Sequence, residues 1–365
     1  MFAENRKISL RQLQILLLLD SFGTAVLFLP AELAQVSGKG CWLAALAGGI
    51  VFVLIALLLA WTGKSMPEGT VVLWCRRAFG YVAGTVIAGG LGLKLLFDGM
   101  LELRIFSEII CRSMLPNTPV WVLSLVILAV AGALAAQGAE CRGRAAEVLF
   151  FVVAVPLLLV LAAVAVSAEY GRIRPVELPG LGDITGGIGA VSLVFQGLPF
   201  LYFVFPYLQK KEKTSAAVGI SSLLTAGILT GIVLLCLAVY GEGVLAEKLL
   251  PALQMMERVS FTGVFLTRQD VLLLWFWMAS VCIFLSGVVF YGSGLGARLC
   301  RQKKESRNGW FWGCLAALFL FSLLPEDLSM AYRLRLQTAP WLNLAYLVVL
   351  PAALLIFGRG GKMHG

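Results

Sequence analysis

Ten apolar runs of bilayer-spanning length leave this chain few ways to fold. They lie near residues 10–33, 41–61, 81–111, 119–137, 145–168, 184–208, 215–240, 270–298, 310–324 and 340–357. A spanning helix needs about 20 apolar residues to cover roughly 30 Å of hydrocarbon. In that solvent every backbone N–H and C=O must be paired within the chain, so such runs become helices. The composition agrees: 60% of residues are hydrophobic and 13% charged, with a mean hydropathy of +0.91, outside the range of soluble domains. The expected fold class is an all-α polytopic membrane protein, one transmembrane domain of ten helices over residues 1–365. The first run carries Asp20 and Pro30 and lacks a small-residue cleavage site, so it reads as a retained span, not a signal peptide.

Lys and Arg set the expected orientation. Connections on the side of the N-terminus, with Arg6, Lys7, Lys64, Arg76, Arg77, Arg142, Arg144, Lys210, Lys211 and Lys213, carry an excess of roughly two to one over the opposite side, where Arg172, Lys248, Arg333 and Arg335 fall. Both termini are therefore expected in the cytoplasm. This asymmetry accounts for the formal charge of +9 and gives no reason to invoke nucleic acid.

Two spans carry a weak point near the midplane. The first contains Ser21-Phe22-Gly23-Thr24, and the sixth contains Gln196-Gly197-Leu198-Pro199. The ten spans divide into two halves of five, so these breaks fall at corresponding positions of oppositely oriented halves, the pattern that points to a central transporter-type site. A half-helix restarting after Gly23 exposes unpaired N–H groups that suit an anion. The carbonyls ending the preceding half suit an ammonium or a cation. A small zwitterion matches both. The competing reading of Gly23 and Gly197 is close helix packing.

Span three is the most polar. Lys94, Asp98, Glu102, Arg104 and Glu108 share one broad helical face, and ionisable groups inside a membrane are functional candidates by default. Counted from Tyr81 at about 1.5 Å per residue, Glu102, Arg104 and Glu108 are expected in a solvated outer vestibule. Lys94 and Asp98, spaced i, i+4, either neutralise one another or serve coupling. Asp20, one turn before Gly23, either takes a proton or cation or bonds the loosened backbone. Span eight places Ser280, Phe284 and Ser286 near its centre, where both hydroxyls also have their own helix backbone to bond.

The connections hold less. VLAEKLLPALQMMERV, interrupted by Pro251, is expected to form short helices over the outer mouth; CRGRAAEVLF and PEDLSMAYRLR read as solvated loops. The eight cysteines include no C-x-x-C pair, and His364 is the only histidine, so neither zinc nor Cys/His catalysis is indicated. Cys41 and Cys111 fall toward the same side, either paired or packed as small apolar groups. No G-x-S-x-G, Walker or H-E-x-x-H pattern is present. No enzyme activity, cofactor or metal is expected.

The opening KISLRQLQILLLLDSFGTAVLFLP, the following GCWLAALAGG, the GRAAE of the fourth connection and the FVFPYLQKKEK closing span six together resemble the B subunits of spore germinant receptors. These are spore permease-type proteins of the amino acid, polyamine and organocation superfamily. The resemblance implies a five-plus-five inverted-repeat, leucine-transporter-like fold with broken helices 1 and 6, the repeats spanning about 10–168 and 184–357. It also implies the inner membrane of a bacterial endospore, A-type and C-type partner subunits within the lipid bilayer, and a small germinant such as an amino acid. Gly23 and Thr24 match the unwound first helix; Gln196, Gly197 and Leu198 match the break in span six. With Phe22, Phe284 and Ser286 they form the candidate ligand site, and Asp20, Lys94 and Asp98 the candidate coupling or structural set. The expected function is germinant binding that shifts a conformational equilibrium and passes the bias to partner subunits. The alternatives are a proton-coupled amino acid permease using Asp20 or Asp98, and a scaffold that anchors partners without binding.

Overall fold

The computed structural model describes residues 7–65, 70–175, 177–209, 211–257, 269–300 and 307–357. The first span enters as α1 (Leu10–Ser21), opened by a capping box between Ser9 and Gln12, and resumes as α2 (Ala25–Ser37). Span two is α3 (Cys41–Ser65), and the short α4 (Val71–Phe79) buries Val71, Val72, Trp74 and Cys75 before span three, α5 (Tyr81–Ser113). Spans four and five are α6 (Val120–Ala136) and α7 (Ala139–Ser167). Gly80 (φ +81°) and Gly138 (φ +93°) make the sharp entries into α5 and α7 in a conformation side chains resist.

Span six starts as α8 (Leu181–Val191), tightens into a 3-10 stretch over Ser192–Phe200 and ends through α9 (Leu201–Val204). Span seven is α10 (Thr214–Tyr240), followed by the short α11 (Glu242–Glu247) and α12 (Pro251–Glu257). Both short helices pack on α2, as expected for caps over the mouth of the bundle; Arg258 and Val259 of that stretch lie outside the described residues. Spans eight and nine are α13 (Gln269–Leu299) and α14 (Arg307–Ser322). Span ten is α15 (Leu328–Asn343), a widened π-helical turn at Leu344–Val349 and α16 (Leu350–Phe357). No strand occurs among the described residues; one isolated bridge pairs Ile8 with Leu208, tying the entrance of span one to the end of span six.

Among the described residues, six stretches are long and apolar enough to cross a bilayer on length and composition, and Val120–Ala136 and Asn308–Ser322 are shorter apolar helices. Their outward faces carry exposed Ile50, Leu54, Val152, Leu159 and Leu223, while polar side chains are gathered inside. That inversion suits a lipid solvent, where association rests on packing and interhelical hydrogen bonds.

Three expectations are corrected. CRGRAAEVLF is not a loop but the start of α7, and PEDLSMAYRLR runs into α15, which Asp327 opens by accepting a hydrogen bond from the Met330 N–H at 2.7 Å. Arg142 and Arg335, counted as connection charges, are 2% and 3% exposed because each finds a carboxylate inside the bundle. Glu102, Arg104 and Glu108 are buried rather than in a solvated vestibule. With 33 residues, α5 is longer than the hydrocarbon is thick, so a count from Tyr81 sets the midplane too early.

Candidate functional site

The site is built on the break in span one. Helix α1 ends at Ser21, and Phe22, which closes it, leaves helical geometry (ψ 52°) while its N–H still reaches the Leu18 carbonyl. Helix α2 begins with no side-chain cap of its own, because Thr24 does not fold back on the N–H groups behind it. Backbone groups freed at this depth must find partners in other spans.

On the α2 side the partner is Glu102 of span three. Its Oε1 accepts the Thr24 N–H at 2.7 Å, and its Oε2 accepts the Thr24 hydroxyl at 2.9 Å. From span ten, Arg335 donates Nη1 to the same Oε2 at 2.5 Å and to the Thr24 hydroxyl at 3.1 Å. Its Nη2 donates to Gln196 Oε1 of span six and, at 3.4 Å, to the Leu193 carbonyl. Gln196 Nε2 is buried without a partner and lies over Gly23: a Cβ there would stand 1.9 Å from it and 2.6 Å from Glu102 Oε1. Spans one, three, six and ten thus meet on one carboxylate and one guanidinium.

On the α1 side the partners come from spans five and eight. Arg142 Nη2 donates to both Asp20 oxygens at 2.6 and 2.7 Å, and its Nε to the Ile283 carbonyl and Ser286 Oγ, each at 3.2 Å. The guanidinium also lies 5.1 Å from the Phe200 ring centre and 5.6 Å from that of Tyr291. Ser280 donates to the Leu19 carbonyl and, at 2.9 Å, to that of Phe22; Trp277 Nε1 donates to the Gly23 carbonyl at 3.2 Å. The freed carbonyls therefore face donors of span eight, with the Arg142 cation beside them.

A void of about 10 Å³ touches Asp20, Arg142 and Tyr291. On the face of the bundle that carries the N-terminus, a vestibule of about 960 Å³ opens among Gln137, Glu140, Tyr207, Phe290, Asn308 and Phe311. Toward the opposite face Phe28 of α2 stacks on Tyr332 of span ten at 4.2 Å.

Of the residues singled out in the sequence, Phe22, Gly23, Thr24 and Gln196 meet at this centre. Gly197 instead packs on Asp20: a Cβ would stand 2.7 Å from Asp20 Cβ and 2.9 Å from its carbonyl carbon. Leu198 lies in the surrounding apolar core. Phe284 sits beside Phe200, 5.5 Å between ring centres, and Ser286 donates to its own Ile283 carbonyl while accepting from Arg142. Lys94 and Asp98 form their own pair at 2.5 Å within α5. Cys41 and Cys111 are free, buried thiols. Ser280, unlike Ser286, donates its hydroxyl to a different helix. Glu102, expected in an outer vestibule, also belongs to the break, as do Arg142 and Arg335, which the charge count puts in connections. The signal for Arg335 is helical spacing: Leu328, Ala331, Tyr332, Arg335, Ala339 and Asn343 make one buried face of α15.

A helix broken at the bundle centre, with its ends bonded by surrounding spans, defines a transporter-like membrane protein, and solved structures share this fold. MhsT, crystallised in complex with L-phenylalanine, superposes with a TM-score of 0.62 at 14% identity over 95% of this chain and 98% of its own. Mhp1, a nucleobase-cation-symport-1 family transporter in a closed conformation with bromovinylhydantoin bound, gives 0.63 at 13% over 94% and 79%. These likenesses establish the leucine-transporter-like fold. The family model for spore germination proteins matches residues 7–331, and the chain belongs to that family. Its relatives in Bacillus subtilis (strain 168) include spore germination protein YndE, 23% identical over 99% of both chains. Spore germination protein B2 is 26% identical over 88% of both, and spore germination protein KB 21% identical over 97% of this chain and 95% of its own. The protein is therefore a germinant-receptor or permease-like membrane protein.

Proposed function

We propose that this protein is the membrane subunit of a spore germinant receptor. It binds a small germinant, an amino acid, at the break in span one, and signals by a conformational shift to A-type and C-type partner subunits. It resides in the spore inner membrane with both termini cytoplasmic. The observation that carries this reading is the convergence of four spans on Thr24, Glu102, Arg335 and Gln196 at the start of a half-helix. A ligand that rearranges these few contacts moves the spans carrying them, and its differential affinity for the two arrangements sets the shift. The acids a proton-coupled permease would use, Asp20 and Asp98, each face a cation, Arg142 and Lys94. That pairing favours sensing over proton carriage.

The test is thermal stabilisation of the purified chain across the common amino acids, since a ligand that binds only the folded state raises its apparent stability. One or a few amino acids are expected to raise the midpoint, and Gly23→Val to abolish the shift while the variant still assembles with its partner subunits. An undiminished shift in Gly23→Val sinks the site.

A further inference from the structure

We propose that Glu102 is a built-in competitor for the germinant: its carboxylate occupies a carboxylate-binding site, which the germinant's own carboxylate takes by displacing it. The inference rests on the germinant-binding reading above and names the chemistry of that site.

The first ground is the donor set. The Glu102 carboxylate is met by the Thr24 N–H at the start of the 13-residue α2, by the Thr24 hydroxyl and by the Arg335 guanidinium. A helix N-terminus with an arginine beside it binds carboxylates generally. The second ground is independent of that terminus. Gln196 Nε2, on a residue only 3% exposed, has no acceptor and lies over Gly23, beside the carboxylate. A buried donor costs free energy unless it is bonded. Glu102 leaves this donor unused, and a carboxylate lying over Gly23 would receive it.

The third ground is where the cap comes from. An ordinary helix start is capped by its own first residue, whereas this one borrows a carboxylate 78 positions away, which Arg335 grips from the far end of the chain. A borrowed cap can leave without unfolding the helix, provided another carboxylate takes its place. The exchange keeps the donors satisfied and uncouples span three from spans one and ten. Ligand binding and the release of α5 are then the same event.

Glu102→Ala tests this without knowing the germinant. The substitution removes the atoms of an acetate ion, so acetate is the probe and formate a smaller one. In the full-length chain, E102A should be stabilised by acetate, its thermal midpoint rising with concentration to saturation, while the wild type, its site filled, stays flat. A folded E102A that ignores both ions overturns the proposal, and so does an equal rise in both proteins, which is a general salt effect.

Should E102A not fold even in acetate, E102D decides, because it keeps the charge but shortens the reach. In spores carrying the complete receptor, E102D should lower the amino acid concentration for half-response by on the order of tenfold, about 1.4 kcal/mol of lost competition. An unchanged or raised concentration overturns the proposal. The acetate result stands apart from the germinant reading. Rescue with no amino acid binding to the wild type keeps the carboxylate site and sinks the germinant; binding without rescue does the reverse.

Discussion

The midplane segments of spans one and six carry the same signal, a glycine in an apolar run, and use it in different ways. Span one gives up its helix at Phe22 and hands its freed backbone groups to side chains of spans three and eight. Span six keeps its own hydrogen bonds by tightening into 3-10 turns from Ser192 to Phe200. Gly23 leaves room for polar side chain ends, Gln196 Nε2 and Glu102 Oε1, whereas Gly197 admits the backbone of Asp20. A glycine at the membrane centre thus marks a close approach. What approaches, side chain or main chain, decides whether the place can serve as a site.

The largest expected effect follows from how much span one depends on its neighbours. Arg335→Met leaves Glu102 buried without its cation, and Arg142→Met does the same to Asp20. Breaking a buried pair from one side costs about 3–5 kcal/mol, read as a loss of thermal midpoint or of folded yield. Replacing both members, as in E102M/R335M, should recover much of that loss, because no unpaired charge remains. If the double variant is as damaged as R335M, the pair is not what holds this break.

Next in size is Gly197→Ala. Its methyl group would meet Asp20 Cβ and the carbonyl carbon of the same residue, neither of which can swing away. Overpacking of this kind costs about 1–3 kcal/mol. Gly23→Ala meets only the ends of flexible side chains, so it should cost less stability while still disturbing Gln196 and Glu102. Thermal unfolding of the two variants side by side checks the contrast, and a G23A as unstable as G197A erases the distinction.

These contrasts also show what was legible in the sequence. Run lengths fix depth, so Gly23, Thr24 and Gln196 could be placed near one another from spacing alone. The ion pairs between spans could not, since Glu102 and Arg335 stand 233 positions apart and a spacing rule, which does find Lys94 and Asp98, sees only its own helix. Arg142 and Arg335 were misplaced for a physical reason. The excess of positive charge on one face is a property of connections, and an arginine in the first turns of a span adds to the count even when its side chain points inward. The 3-10 winding of span six was hidden too, because Gly197 and Pro199 permit unwinding and tight winding alike.

The smallest effect separates two serines of span eight. Ser286 donates to the Ile283 carbonyl of its own helix and accepts from Arg142, which also bonds that carbonyl and Asp20. Ser286→Ala therefore strands no group and should leave the thermal midpoint nearly unchanged. Ser280 donates across the bundle to the Leu19 and Phe22 carbonyls, which α1 cannot pair within itself once it stops at Ser21. Interhelical hydrogen bonds in membranes average about 0.6 kcal/mol and reach about 1.7, and Ser280→Ala should fall in the upper part of that range. Unfolding of both variants in the same detergent gives the answer. Equal, negligible losses would mean that the carbonyls at the break find other partners, and that the polar contacts of the α2 side alone hold span one open.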